Sequence, residues 1–180
     1  MSTTPRTSHP LTIALLGEAV LRQSAQAVSL PDAEIERLAE TMMQVMSDRG
    51  GVGIAAPQLH HSLALMIVAS RPNPRYPDAP QMAPLVMANP TITAQSPQRV
   101  RDWEGCLSVP GIRGLVARPQ WVKVSFDTLD GYRHHTRLEG FAARIFCHEL
   151  DHLQGLTFLD RVDNNRDLLA TEVWLRERGR

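Results

Sequence analysis

An α+β fold, with mixed or antiparallel β-sheet wrapped around a central helix and a further helix towards each end, is what this chain predicts. Three observations carry that reading. Apolar residues recur at helical spacing in the stretches 32–49, 140–155 and 164–177. Short β-branched or alternating runs lie between them, at 63–69, 85–88 and 122–138. Strands and helices do not alternate regularly, which argues against a parallel βαβ architecture.

Taken in order, the polar, Pro-containing segment 1–10 reads as a flexible tail before a single domain over 11–180. Ile35, Leu38, Met42, Val45 and Met46 give the first helix its apolar stripe, with Pro31 before it and Gly50 after it. The Gly-rich run 51–58 reads as a tight turn. The runs 63–69 and 85–88 read as buried strands, the second closed by Asn89 and Pro90. Val122, Val124 and Phe126 alternate with Lys123 and Ser125, and Asp130-Gly131 offers a turn into 132–138, so a β-hairpin is expected. The central helix spans 140–155. A last helix is expected over 164–177, where Leu168, Leu169, Val173 and Trp174 recur.

Nineteen basic and nineteen acidic residues cancel, so no whole-molecule field draws nucleic acid or an anionic membrane. No apolar stretch approaches the ~20 residues that span a bilayer, and the first residues lack the apolar centre of a signal peptide. A cytoplasmic location is therefore expected, with no membrane partner and no direct nucleic-acid specificity. The two cysteines, Cys106 and Cys147, are poorly explained by a disulfide in such a chain, and each thiol needs its own account.

His148-Glu149-Leu150-Asp151-His152 places two imidazoles four positions apart, on one face of the central helix. That spacing suits metal ligation, and Glu149 beside it can act as general base towards water made acidic by a divalent ion. Phe141, Ile145, Phe146 and Leu153 bury this helix, where paired histidines require partners. A catalytic site needs a third protein ligand and an open position. The metzincin pattern would place a histidine at Phe158 and is excluded. Glu172 could complete a His-His-Glu zinc peptidase site. Cys106 is the better candidate, because Glu104-Gly105-Cys106-Leu107-Ser108 surrounds it with residues of tight backbone geometry rather than core residues. The Gly51 to Gln58 run fails as a phosphate loop, since no Lys-Ser or Lys-Thr pair follows.

Together and in order, the segments 51–58, 104–108 and 148–152 resemble the three signature motifs of peptide deformylases. The similarity extends through 16–22, Asn89-Pro90 and 106–118. The resemblance implies removal of the formyl group from the N-terminal formylmethionine of nascent polypeptides, releasing formate. It implies one divalent ion held by Cys106, His148 and His152, with Fe(II) expected and Zn(II), Ni(II) or Co(II) able to replace it. Glu149 would be the base, and the Gln58 amide and Leu107 backbone N–H would be the oxyanion donors. Peptide backbone would lie extended against the Gly51 to Gly53 segment, with Val52, Gly53 and Gly105 as substrate-binding positions and Arg113 on a carbonyl. The methionine side chain would enter a pocket lined by Val52, Phe141 and Ile145. Glu104 and Arg118 match an ion pair that braces the cysteine segment.

One departure stands out: Cys147 occupies a position where the family usually carries glutamine. One residue before His148, it faces elsewhere on the helix, so altered packing with retained catalysis is expected. The alternatives are an HExxH zinc peptidase and a catalytically inactive deformylase-like binding protein. The segment 160–180 could make a transient ribosome contact, although its charges balance. A monomer or homodimer is expected.

Overall fold

A computed structural model describes residues 12–73 and 76–178. The tail expected over 1–10 lies outside them. Helix α1 (Ala33–Asp48) begins where Asp32 accepts hydrogen bonds from the Glu34 and Ile35 amides, and ends just before Gly50 at φ 60°. The segment expected to be a turn is instead strand β1 (Gly53–Ala55) followed by a 3-10 turn over Ala56–Leu59. Its glycines leave the backbone free to extend, and pairing with β2 (Leu65–Val68) fixes it.

Strand β3 (Leu85–Gln95) does not stop at Asn89-Pro90 as the sequence suggested. Asn89 takes φ 49° and the register with β6 (Trp121–Asp127) jumps between Ala88 and Thr91. A bulge thus absorbs the proline's missing N–H and lets the strand continue. Asn89 also ties Val28 and Asp127 with its side chain. The expected hairpin forms from β6 and β7 (Arg133–Glu139), in register from Trp121↔Glu139 to Asp127↔Arg133. These strands make a five-stranded antiparallel sheet ordered β1-β2-β3-β6-β7.

Both faces of this sheet are covered, which explains why every residue of β2 is buried. Leu65 and Ile67 face α1 through Met42, Val45 and Met46. Met66 and Val68 face the central helix α2 (Gly140–Leu153), where Ala143, Ile145 and Phe146 meet Met87, Val122 and Phe126. The period of two along a strand divides the two contacts.

A second antiparallel sheet is ordered β4-β5-β8, from β4 (Arg99–Cys106), β5 (Val109–Pro119) and β8 (Leu168–Ala170). Val109, Val116 and Phe158 form its core with Cys106. The single helix expected over 164–177 is therefore divided: Leu168 and Leu169 pair with the edge of β5, and α3 (Thr171–Arg178) starts only afterwards. An available strand edge overrode the helical spacing of these residues. No helix among the described residues is long and apolar enough to cross a membrane.

Candidate active site and metal centre

Helix α2 is buried almost all round, so its polar residues depend on partners. His148 and His152 project from one face, rings 5.2 Å apart, towards the end of β4. There a register shift between Gly105 and Cys106 turns the thiol inward. The Cys106 Sγ lies 3.2 Å from His152 Nε2, and the ligand atoms of Cys106, His148 and His152 all fall within 4.8 Å of one another. Among the described residues no fourth Cys, His, Asp or Glu joins this cluster. Glu172, the alternative third ligand, sits exposed on α3 and takes no part.

Electrostatics prepare these donors. Burial alone would raise the Cys106 thiol, yet the two imidazoles pull its pKa well below the ordinary value and favour thiolate. The Glu104 carboxyl, also opposed by burial, is held well below the usual range by Arg118 and His148. An ionised Glu104 can only accept, so His148 Nδ1 donates to it at 2.9 Å and leaves the other ring nitrogen for the cluster. Arg118 grips Glu104 through two bonds of 2.9 Å and donates to Asp151 at 2.7 Å. Arg144 adds a bond to Glu104 and others to the Val100 and Val116 carbonyls. The expected Glu104–Arg118 pair is thus one edge of a larger buried network, to which the sequence offered no pointer for Arg144.

Glu149 lies in the same cleft. Burial raises its pKa to about 7 against the pull of His148 and His152. Its Oε2 and the Nδ1 of His152 are buried without a hydrogen-bond partner. A partnerless buried carboxylate oxygen beside a thiolate and two imidazoles fits a site completed by something bound, and this donor set suits Fe(II) or Zn(II).

The Gln58 Oε1 accepts from the Ala55 amide at 2.9 Å, which aims its Nε2 at Ser108 Oγ and the Cys106 sulfur. Val52, Gly53, Gly105, Leu107, Phe141 and Ile145 line the cleft around it. Gly53 is required there: a Cβ would come 2.7 Å from Ile145 Cγ2 and closer still to Glu149 Oε1. Arg113 is not in the cleft wall. It is buried beneath Gly105, whose Cβ would stand 2.9 Å from the guanidinium, and it packs between Tyr76 and Trp174. Tyr76 and Trp103 also line the cleft, and neither lies in a motif that would have singled it out. Cys147 points into the apolar core, where burial raises its thiol to about 11, so it stays neutral and away from the cluster.

The polypeptide deformylase family model matches residues 10–167. This chain belongs to the polypeptide deformylase family. It is 53% identical over 154 residues to peptide deformylase 2 of Shewanella oneidensis, covering 86% of this chain and 85% of the relative. To peptide deformylase 2 of Nostoc sp. it is 48% identical over 165 residues, covering 91% and 92%. Among solved structures, the class I type b peptide deformylase of Acinetobacter baumannii with Met-Ala-Ser bound superposes with a TM-score of 0.83 at 48% identity, covering 84% of this chain and 98% of that one. The Cys-His-His cluster, built from one strand end and one helix, is able to coordinate a divalent ion.

Proposed function

We propose that this chain, as one catalytic domain over 11–180, hydrolyses the formyl amide of N-terminal formylmethionine on new polypeptides, releasing formate and a free amine. The carrying observation is the convergence of Cys106, His148 and His152 beside the buried Glu149 carboxylate. When bound, a divalent ion, Fe(II) first with Zn(II), Ni(II) or Co(II) as substitutes, supplies the Lewis acidity that polarises a carbonyl and acidifies water.

Glu149 accepts the proton of the attacking water and delivers it to the departing amine. A carboxyl raised towards neutrality can do both. Gln58 Nε2 and the Leu107 N–H donate to the oxyanion. The peptide lies extended between two sheet edges, β1 at Gly53 and β4 at Gly105, each an outermost strand with an unpaired side. Val52, Phe141 and Ile145 receive the methionine side chain, and Arg113 braces from beneath the Gly105 edge that takes the peptide backbone. Such a substrate is in keeping with a cytoplasmic location and a transient ribosome contact.

Formate release from formyl-Met-Ala-Ser by anaerobically purified Fe(II) protein tests this reading. Glu149→Ala should lower the rate by about 10²-fold or more. Cleavage of an unformylated peptide instead would point to a peptidase, and metal binding without turnover to a binding protein.

A further inference from the structure

Helix α1 packs chiefly on β1 and β2 of the five-stranded sheet, and beside it a groove of about 740 Å³ lies open. Ala39 and Met43 on α1, Val86 on β3 and Leu129 in the turn after β6 give it an apolar floor. Glu36 and Glu40 stand along the α1 wall, Asp130 lines the groove from the turn, and all three carboxylates are exposed. Glu36 and Glu40 are one helical turn apart, a spacing at which like charges repel. No lysine, arginine or histidine among the described residues lines the groove. The cations nearby are engaged elsewhere: Arg37 with Glu34 at 3.7 Å, Arg133 with Asp127 at 2.9 Å, and Arg71 with Ser47 Oγ at 2.9 Å at the other end.

We propose that this groove docks a cationic amphipathic helix of a partner protein, its apolar stripe on the floor and its Lys or Arg side chains on Glu36, Glu40 and Asp130. Glu36, Glu40, Met43 and Ser47 follow the ridge spacing along which a second helix packs, over about 16 Å of α1. Met43 is half-buried, unbranched and polarizable, so it can repack around an incoming apolar side chain. The floor alone would suit any apolar segment; the uncompensated carboxylates select a basic one. They also disfavour a second copy of this chain, because an isologous contact would bring the same acidic wall against itself. The groove lies across the sheet from α2 and its histidine pair, so docking there leaves the cleft open.

The probe is a labelled helical peptide of about 14 residues, leucines along one face and lysines on the other, titrated with the full chain and followed by fluorescence anisotropy. It should bind about tenfold or more tightly than a peptide of the same composition with its leucines scattered around the helix. The pair Glu36→Gln and Glu40→Gln should weaken binding by about five- to tenfold and flatten its dependence on salt. Met43→Lys should abolish binding, and circular dichroism and turnover of formyl-Met-Ala-Ser should stay native in every variant. Equal binding of the scattered peptide, binding unaffected by loss of the two carboxylates, or equal binding of a glutamate–leucine counterpart would overturn the proposal. So would light scattering that shows a dimer of the native chain which Met43→Lys dissolves, since the occupant would then be a second copy.

Discussion

Glu149 sits between two opposing influences: burial disfavours its charge, and the histidine pair one residue before and three after favours it. As the proposed general base, its carboxyl must be ionised to accept a proton, so kcat/KM is expected to fall as pH drops through its pKa. That value is about 7 without an ion, and a bound cation lowers it. The acid limb of the kcat/KM profile is therefore expected below pH 7, and a limb above it would identify a different group as base. Gly53 is the second sensitive position. Gly53→Ala drives a methyl group into Glu149 and Ile145, so deformylation should fall at least tenfold while circular dichroism stays native. These two residues explain why a three-residue strand with so little side chain borders the chemistry.

At the scale of elements, the contact between α2 and the β4–β5 sheet is ionic. Arg118, Arg144, Glu104 and Asp151 are all buried and bonded to one another across it. Removing Arg118 takes away three charge-assisted bonds but leaves Glu104 paired with Arg144 and Asp151 with Arg161, so the cost is about 1.5–3 kcal/mol rather than that of an orphaned buried charge. Arg118→Met should therefore lower the unfolding free energy measured by urea titration by an amount of that order. It should also weaken metal retention, because Glu104 orients His148. Unchanged metal affinity in this variant would show that the network holds the fold without serving the site. The helical spacing of 148–152 was legible because both ligands lie on one element. Arg144 was not, since a lone arginine on an apolar helix resembles a solvated residue until the Val100 and Val116 carbonyls are brought to it.

For the whole molecule, the metal centre joins the two sheets. Cys106 ends a strand of the three-stranded sheet, and His148 and His152 ride on the helix packed against the five-stranded one. An ion binding only the folded state stabilises it by about 2.7 kcal/mol at a hundredfold excess over Kd. Chelation should therefore lower Tm by several degrees, and His152→Ala, lacking one ligand, should lose that response. Equal chelator sensitivity in both proteins would place the stabilising ion elsewhere.

What the sequence determined by itself was local or repeated within one element: the α1 stripe and its Asp32 start, the β6–β7 hairpin, and the histidine pair with its glutamate. The three ordered segments carried the family resemblance and with it the cysteine ligand. Tertiary structure decided what depended on partners far along the chain. Leu168 and Leu169 became a strand because β5 offered an edge, and β3 passed Pro90 because a bulge could absorb it. Arg113 lies under Gly105 between two aromatic rings that no motif contains. Periodicity reports only which face of an element is apolar; which neighbour covers that face is settled when the sheets close around α2.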